Sequence, residues 1–299
     1  MIVDGISPAL SAALKIANAS QLRSVLVTGG SGFLGRALAR RMLEIGVSRI
    51  CLLSSSESRM HEARQLIGED DRLRYMVGNV RDADRMRRAM RGIDTVIHAA
   101  ALKRVEVGQE NPREMIATNV HGTVNVLNAA EDCGVSRFVF VSSDKACQPT
   151  NLYGATKFMG EGLTLAERGE ILPRCCVVRY GNVAGSTGSV IPIWRRARDL
   201  GQRVRLTNLE ATRFWMTRGE AVEFVLNAAM HAQNGDLRVP ELPAYRLGDL
   251  AVAMGVKYEI TGMTAGEKLH ESMLAGHTSE HARRMSVNEL REALDAVAA

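Results

Sequence analysis

Aromatic residues make up only 4% of this 299-residue chain. So few flat side chains offer little platform for stacked bases, and no nucleic acid is expected as a partner. The net charge of +5 is mildly basic, which suits a small anionic ligand. Cysteine is sparse: Cys51, Cys133, Cys147, Cys175 and Cys176 form no Cys-x-x-Cys pair, and no histidine cluster accompanies them. That pattern argues against a disulfide framework or a zinc site, and no metal is expected. Cys51, Cys175 and Cys176 fall in apolar strand patterns and read as buried thiols. A reducing, cytoplasmic setting is the corresponding expectation. The N-terminal stretch lacks a basic n-region and carries Asp4 and Lys15, and no apolar run reaches transmembrane length. A soluble protein without a membrane span is expected. Internal repeats and low-complexity segments are missing as well.

What is present is a long alternation of strand and helix patterns, in a chain long enough for a large core with a smaller lobe. Residues 1–23 read as a prelude, in which Ser7-Pro8 opens a short helix over Ala9 to Ala17. Ser24 to Thr28 is a buried strand. Gly29, Gly32 and Gly35 follow with G-x-x-G-x-x-G spacing and lead into an amphipathic helix. A strand, a glycine turn and a helix in this order form a dinucleotide fingerprint, because glycines let the backbone approach a pyrophosphate at a helix N-terminus. The second strand, Arg49 to Leu53, ends in Ser54-Ser55-Ser56 with Arg59 beyond, where an acidic residue would favour NAD. Hydroxyls and a guanidinium suit a 2′-phosphate, so NADP is the expected cofactor, with NAD as the alternative. Strands at Leu73 to Val77 and Thr95 to His98 follow. The second runs into Ala99-Ala100-Ala101, which permits either close cofactor approach or plain close packing. His98 reads as a satisfied core histidine. The arginines at 81, 85, 87, 88 and 91 read as a solvated helix face.

The chemistry concentrates in Ser142 to Lys157, between the strand Arg137 to Val141 and the helix beginning near Asn151. Tyr153 and Lys157 share one helix face at i, i+4, where the lysine can favour a phenolate base. Asp144 and Lys145 fall at a strand end, the edge on which open α/β sheets bind ligands. A sixth strand, Arg174 to Tyr180, completes a Rossmann-type doubly wound parallel sheet over residues 24–180. A glycine- and serine-rich loop then opens a substrate lobe, residues 181–275, interleaved with the main domain. Within it Arg213, beside Phe214-Trp215, is the best anion clamp. Residues 276–299 read as a peripheral C-terminal helix.

These residues resemble the extended short-chain dehydrogenase/reductases. Within them they are most similar to the inverting UDP-N-acetylglucosamine 4,6-dehydratases of the polysaccharide biosynthesis type. The matching strings are Val96 to Ala101, Ser143-Asp144-Lys145-Ala146-Cys147, Asn151 to Lys157, Arg179 to Val183, Thr212 to Trp215 and Gly266 to Glu271. The resemblance implies cofactor contacts from Gly29, Ser31, Gly32, Phe33, Leu34, Gly35, Ser54, Ser55, Arg59, Asn79, Val80, Ala99, Ala100, Ala101, Lys103, Asn119, Tyr153 and Lys157. It implies substrate contacts from Lys103, Asn182, Val190, Pro192, Arg213 and Glu267. The chain departs from the family pattern at Asn79, Arg104, Glu210 and Thr264-Ala265.

The implied reaction uses Tyr153, assisted by Lys157, to oxidise carbon 4 of a nucleotide-sugar. Lys145 would then take the carbon-5 proton, Asp144 would protonate the leaving 6-hydroxyl, and Ser143 would hold the reacting oxygen. A lysine acting as base must be neutral, which calls for a lowered pKa. A homo-oligomer packed through the helices carrying Asn119 and Tyr153 is also implied. A nucleotide-sugar 4-epimerase or a ketoreductase would need Tyr153 and Lys157 but not the Asp144–Lys145 pair. A non-catalytic NADP-binding sensor would need neither.

Overall fold

Alternating apolar residues along each strand send successive side chains to opposite faces, so a sheet with two covered faces needs apolar residues at every position. That is the pattern of β2 (Ser24–Thr28), where Val25 and Val27 join one core cluster and Leu26 joins another. β3 (Arg49–Ser54) repeats it with Ile50 and Leu52 on one face and Cys51 and Leu53 on the other. This computed structural model describes residues 2–4, 22–166 and 173–298. The helix expected over Ala9 to Ala17 lies outside the described residues.

Chain order begins with β1 (Ile2–Asp4) and continues beyond β3 with β4 (Leu73–Val77), β5 (Thr95–His98), β6 (Arg137–Val141) and β7 (Arg174–Val178). Two short strands, β8 (Val204–Leu206) and β9 (Thr212–Phe214), precede β10 (Asp236–Pro240). The main sheet has the order β1-β10-β7-β6-β5-β2-β3-β4, and each neighbouring pair is parallel. The order reverses between β2 and β5, the switch point at which a doubly wound sheet opens a ligand crevice. The doubly wound α/β fold expected from the sequence is therefore present. Ile2–Asp4, read as part of a prelude, pairs with β10 and extends the sheet by one strand.

Helices Phe33–Glu44 and Arg218–His231 pack on each other, and their buried residues share the core cluster on one face of the sheet. Helices Ala83–Ala89 and Gly122–Asp132 pack together on the other. The long helical pattern from Pro112 to Cys133 is interrupted by a π turn over Ala117–His121, and π turns are frequently found at functional sites.

The smaller lobe has its own core, including Trp194, Trp215, Tyr245, Leu250 and Met254. β9 pairs antiparallel with β11 (Ala244–Arg246), and β8 pairs with β12 (Tyr258–Ile260). β13 (Ser272–Leu274) pairs with β14 (His277–Thr278). Although within residues 181–275, β10 belongs to the main sheet and the helix Arg218–His231 packs on its face. The terminal helix Val287–Ala298 contributes Leu290 and Leu294 to the lobe core and packs on the helix Leu247–Met254.

Candidate active site

The glycine turn follows directly from packing. Gly29 has φ +71°, and a Cβ there would sit 2.9 Å from the backbone of Ala99 and Ala100. A Cβ on Gly35 would sit 2.6 Å from Gly30, so the helix can close on the strand only with glycine there. Gly32 caps the helix without a side-chain hydrogen bond, and no acidic residue occupies its first turn. Its leading N–H groups are suited to an anion. A cradle that side chains would fill, beside an uncapped helix N-terminus, fits a dinucleotide pyrophosphate.

Ser31 Oγ donates to Ser54 Oγ at 2.7 Å, joining the turn to the end of β3. Ser55 and Arg59 are exposed just beyond. Arg36, which the sequence reading did not single out, donates to Ser31 O and pairs with Glu62. It brings a second guanidinium to this end of the crevice. Phe33 lies under Arg218, while Leu34 packs on the main core. Asn79 turns its side chain to Arg81 N, and Val80 is buried with its carbonyl accepting from Asn125.

Asn119 is 2% exposed, and its side chain is fully engaged. It accepts from Leu102 N at 2.8 Å and donates to Leu102 O at 2.9 Å and to Thr156 Oγ1 at 3.0 Å. It therefore fixes the segment after Ala101 to the Tyr153 helix. Lys103 Nζ reaches across to Thr187 O, 2.9 Å away, tying that segment to the glycine-rich loop. His98 is wholly buried between Thr28 and Thr123, at 2.7 and 3.0 Å. Burial, with the nearby Lys157 charge, pushes its pKa down to about 3, so it is a neutral core residue.

At the end of β6 the structure brings the expected catalytic residues together. Ser143 Oγ caps the short 3-10 turn Asp144–Ala146 and donates to Asp144 Oδ1 at 2.8 Å. Lys145 Nζ lies 3.3 Å from the same oxygen. Tyr153 shares a hydrogen bond with Ser143. Burial raises the Tyr153 pKa, and the Lys145 charge and the Ser143 hydrogen bond oppose that rise.

One expectation needs correcting, that of a depressed Lys145. Lys157 Nζ donates to Val141 O and lies 4.6 Å from the Phe140 ring centre, while the Lys145 charge opposes the burial-driven rise of the Tyr153 pKa. Burial brings the Lys157 pKa down to about 8, which the Glu161 carboxylate partly offsets. Lys145 itself is not depressed. Burial lowers its pKa, but the carboxylates of Asp144 and Glu271 outweigh burial and hold it above its ordinary value.

Glu271 was missed in that role, although it ends one of the quoted strings. It is 4% exposed, with Oε1 3.5 Å from Lys145 Nζ and 3.9 Å from Arg213 Nε. Tyr245, also missed, lies 2% exposed beside Trp215 and hydrogen-bonds with Asn182. Asn182, Val190 and Tyr245 share a small cavity of about 10 Å³. Pro192 lies in the first turn of the helix Val190–Asp199. Glu267 is exposed and accepts from Thr264 N, so it is not drawn into the cluster. Glu210 faces Arg246 at the surface. A larger cleft of about 700 Å³ runs between the helices Phe33–Glu44 and Arg218–His231, away from Tyr153.

This geometry can perform acid–base chemistry at the carboxyl edge of the sheet. The model of the polysaccharide biosynthesis protein family matches residues 25–290. An inverting UDP-N-acetylglucosamine 4,6-dehydratase of Campylobacter jejuni is 38% identical over 264 residues, 86% of this chain and 79% of that protein. A UDP-glucose 4-epimerase of Rickettsia akari is 36% identical over 268 residues, 85% and 78% of the two chains. The structure of Pen from Bacillus thuringiensis superposes with a TM-score of 0.87 at 30% identity, covering 92% of this chain and 99% of that one.

Proposed function

Because the chain belongs to the polysaccharide biosynthesis protein family of extended short-chain dehydrogenase/reductases, we propose that it is a carbon-5-inverting nucleotide-sugar 4,6-dehydratase, acting on UDP-N-acetylglucosamine with NADP. The observation that carries this reading is the pairing of buried Asp144 with half-buried Lys145, 3.3 Å apart and beside Tyr153. A proton donor and a proton acceptor on adjacent residues are what elimination across carbons 5 and 6 requires.

Bound NADP would supply reversible two-electron hydride chemistry, so that no reductant is consumed overall. Gly29, Gly32 and Gly35 would hold its pyrophosphate, and Ser54, Ser55, Arg59 and Arg36 its adenosine end. Tyr153 takes the 4-hydroxyl proton while Ser143 holds that oxygen. The resulting 4-keto group acidifies the carbon-5 proton, which Lys145 removes. Asp144 protonates the departing 6-hydroxyl. Arg213, Asn182 and the Val190–Pro192 turn bind the nucleotide-sugar. The homo-oligomer contact falls on the Leu152–Leu165 helix, where Phe158 and Met159 stand 56% and 51% exposed.

A 4-epimerase is the second reading, supported by the Rickettsia relative. Incubation with UDP-N-acetylglucosamine and catalytic NADP⁺ in heavy water separates the two. Loss of one water, deuterium at carbon 5 and no net NADPH are the expected results. Lys145→Ala abolishes this elimination by about 10²- to 10⁴-fold. An epimer formed without water loss, and by Lys145→Ala as well, would replace the dehydratase reading with the epimerase.

A further inference from the structure

Lys145 is surrounded by charge from several elements. Asp144 comes from its own turn, Tyr153 from the following helix, Arg213 from β9, Tyr245 from β11 and Glu271 from the segment entering β13. Of these, Asp144 and Glu271 are anionic acceptors near Nζ, at 3.3 and 3.5 Å. Both carboxylates are nearly sealed from water, and each leaves one oxygen, Asp144 Oδ2 and Glu271 Oε2, without a hydrogen-bond partner among the described residues. The position of Glu271 is set from elsewhere. Its N–H donates to the wholly buried Ser279 Oγ, which in turn donates to Thr212 O.

We propose that Glu271 is a positioning residue that keeps Lys145 in its ammonium form until elimination begins. The proposal builds on the dehydratase reading and adds the source of a proton. In the resting cluster Lys145 carries the proton and Asp144 is a carboxylate. Transfer from Nζ to Oδ1 breaks one N–H bond and forms one O–H bond. It gives a neutral amine and a neutral carboxylic acid with no proton drawn from solvent. Lys145 then accepts the carbon-5 proton, and Asp144 gives its proton to the departing hydroxyl as water. The ammonium and carboxylate are thereby restored. Glu271 stays anionic throughout, so the net charge of the three groups is the same before and after elimination. Its role is to favour the resting distribution of that single proton. A buried pair of carboxylates without the lysine proton would be strongly disfavoured, because like charges in a dry site repel.

Competitive labelling of lysines with trace acetic anhydride tests this without any turnover. The extent of Lys145 acetylation is followed by peptide mass spectrometry as a function of pH in the full-length protein. Replacing Glu271 by glutamine removes one anion near Nζ, so the labelling midpoint of Lys145 is expected to fall by one pH unit or more. Glu271→Asp, which keeps the charge but draws it away, is expected to give a smaller shift in the same direction, and it substitutes for Glu271→Gln if that variant does not fold. NADP⁺ binding of wild-type strength verifies that each variant is folded. An unchanged midpoint overturns the proposal, even if the enzyme proves to be a dehydratase. A shifted midpoint in a protein that dehydrates no nucleotide-sugar supports the role of Glu271 and removes the dehydratase reading instead. Where turnover is found, the acidic limb of the rate profile for deuterium entry at carbon 5 moves with the labelling midpoint. A purely structural loss would lower that rate equally at all pH values and would also count against the proposal.

Discussion

Lys157 Nζ donates to the backbone carbonyl of Val141 at 2.7 Å, tying the Tyr153 helix to the end of the strand that leads into Ser143, Asp144 and Lys145. The contact fixes the spacing between the proposed base and the proposed acid–base pair. It also keeps an amine 4% exposed, whose pKa burial brings down to about 8. A lysine titrating lower in the folded chain than in the unfolded one costs stability while both forms are protonated. Here the cost is on the order of 3 kcal/mol. It is present below pH 8 and fades between pH 8 and the ordinary value of 10.5, where only the unfolded chain still holds the proton. Comparing urea unfolding of Lys157→Met with wild type, the stability difference should therefore move in favour of wild type between pH 7 and pH 10. A constant difference would show that the buried amine carries no such cost.

Beneath this tether lies a second buried pair. Glu161 accepts from Arg179 through both oxygens and also from Ser142 Oγ, and Arg179 donates to Met273 O. The pair joins the Tyr153 helix, the ends of β6 and β7, and β13. Replacing Glu161 by leucine leaves a guanidinium buried without its counter-charge, at a cost of about 3–5 kcal/mol. Chemical denaturation measures this directly. The double variant Glu161→Leu/Arg179→Met should recover part of the loss.

The glycine cradle gives a sharper test of cofactor binding. A methyl group on Gly35 would collide with Gly30 Cα and O at 2.6 Å. Gly35→Ala should cost about 1–3 kcal/mol of stability through overpacking. It should weaken NADP binding by more than tenfold in calorimetry, because the first helical turn must move away from the pyrophosphate. Binding of unchanged strength would place the cofactor elsewhere.

Cofactor choice should respond to Ser55, which is exposed just past β3. Ser55→Asp adds a carboxylate where a 2′-phosphate would lie and an acceptor for a free ribose hydroxyl. The ratio of NADP to NAD affinity should fall by about tenfold or more, equivalent to roughly 1.4 kcal/mol. An unchanged ratio would remove this end of β3 from cofactor recognition.

Much of this was legible in the chain because it is local. The Gly29–Gly35 spacing, the Tyr153–Lys157 interval and the Ser143–Lys145 string each fit within one turn or one strand end. Glu271 and Tyr245 were not legible as neighbours of Lys145. Strand pairing in a separate lobe brings them there from about a hundred residues downstream, and no local period records that. The reversed expectation for the Lys145 pKa has a local and a distant part. The adjacent Asp144 carboxylate, 3.3 Å from Nζ, is the larger of the two charges that raise it, and Glu271, 3.5 Å away, adds what the local sequence could not show. Asn119 was legible as a site residue, but its fully engaged side chain makes it a brace between the Leu102 segment and the Tyr153 helix. Ile2–Asp4 offered too few residues to show a strand period, and only β10 beside it makes a strand of it.

The threading of the lobe has a mechanical consequence. The chain leaves the sheet after β7, returns to it through Arg218–His231 and β10, and departs again into β11. Such a lobe does not hang from one linker and cannot swing open like a door. Each crossing would have to bend at once, and β13 also packs against the Asp144–Ala146 turn. The rim loop of Gly185 and Gly188 is pinned at its base, where Ala184 N donates to Met216 O, and at its tip by the exposed hydrogen bond from Lys103 Nζ to Thr187 O. A loop pinned so at both ends resists displacement as a whole, and its tip, held by one exposed contact, is the part freest to shift.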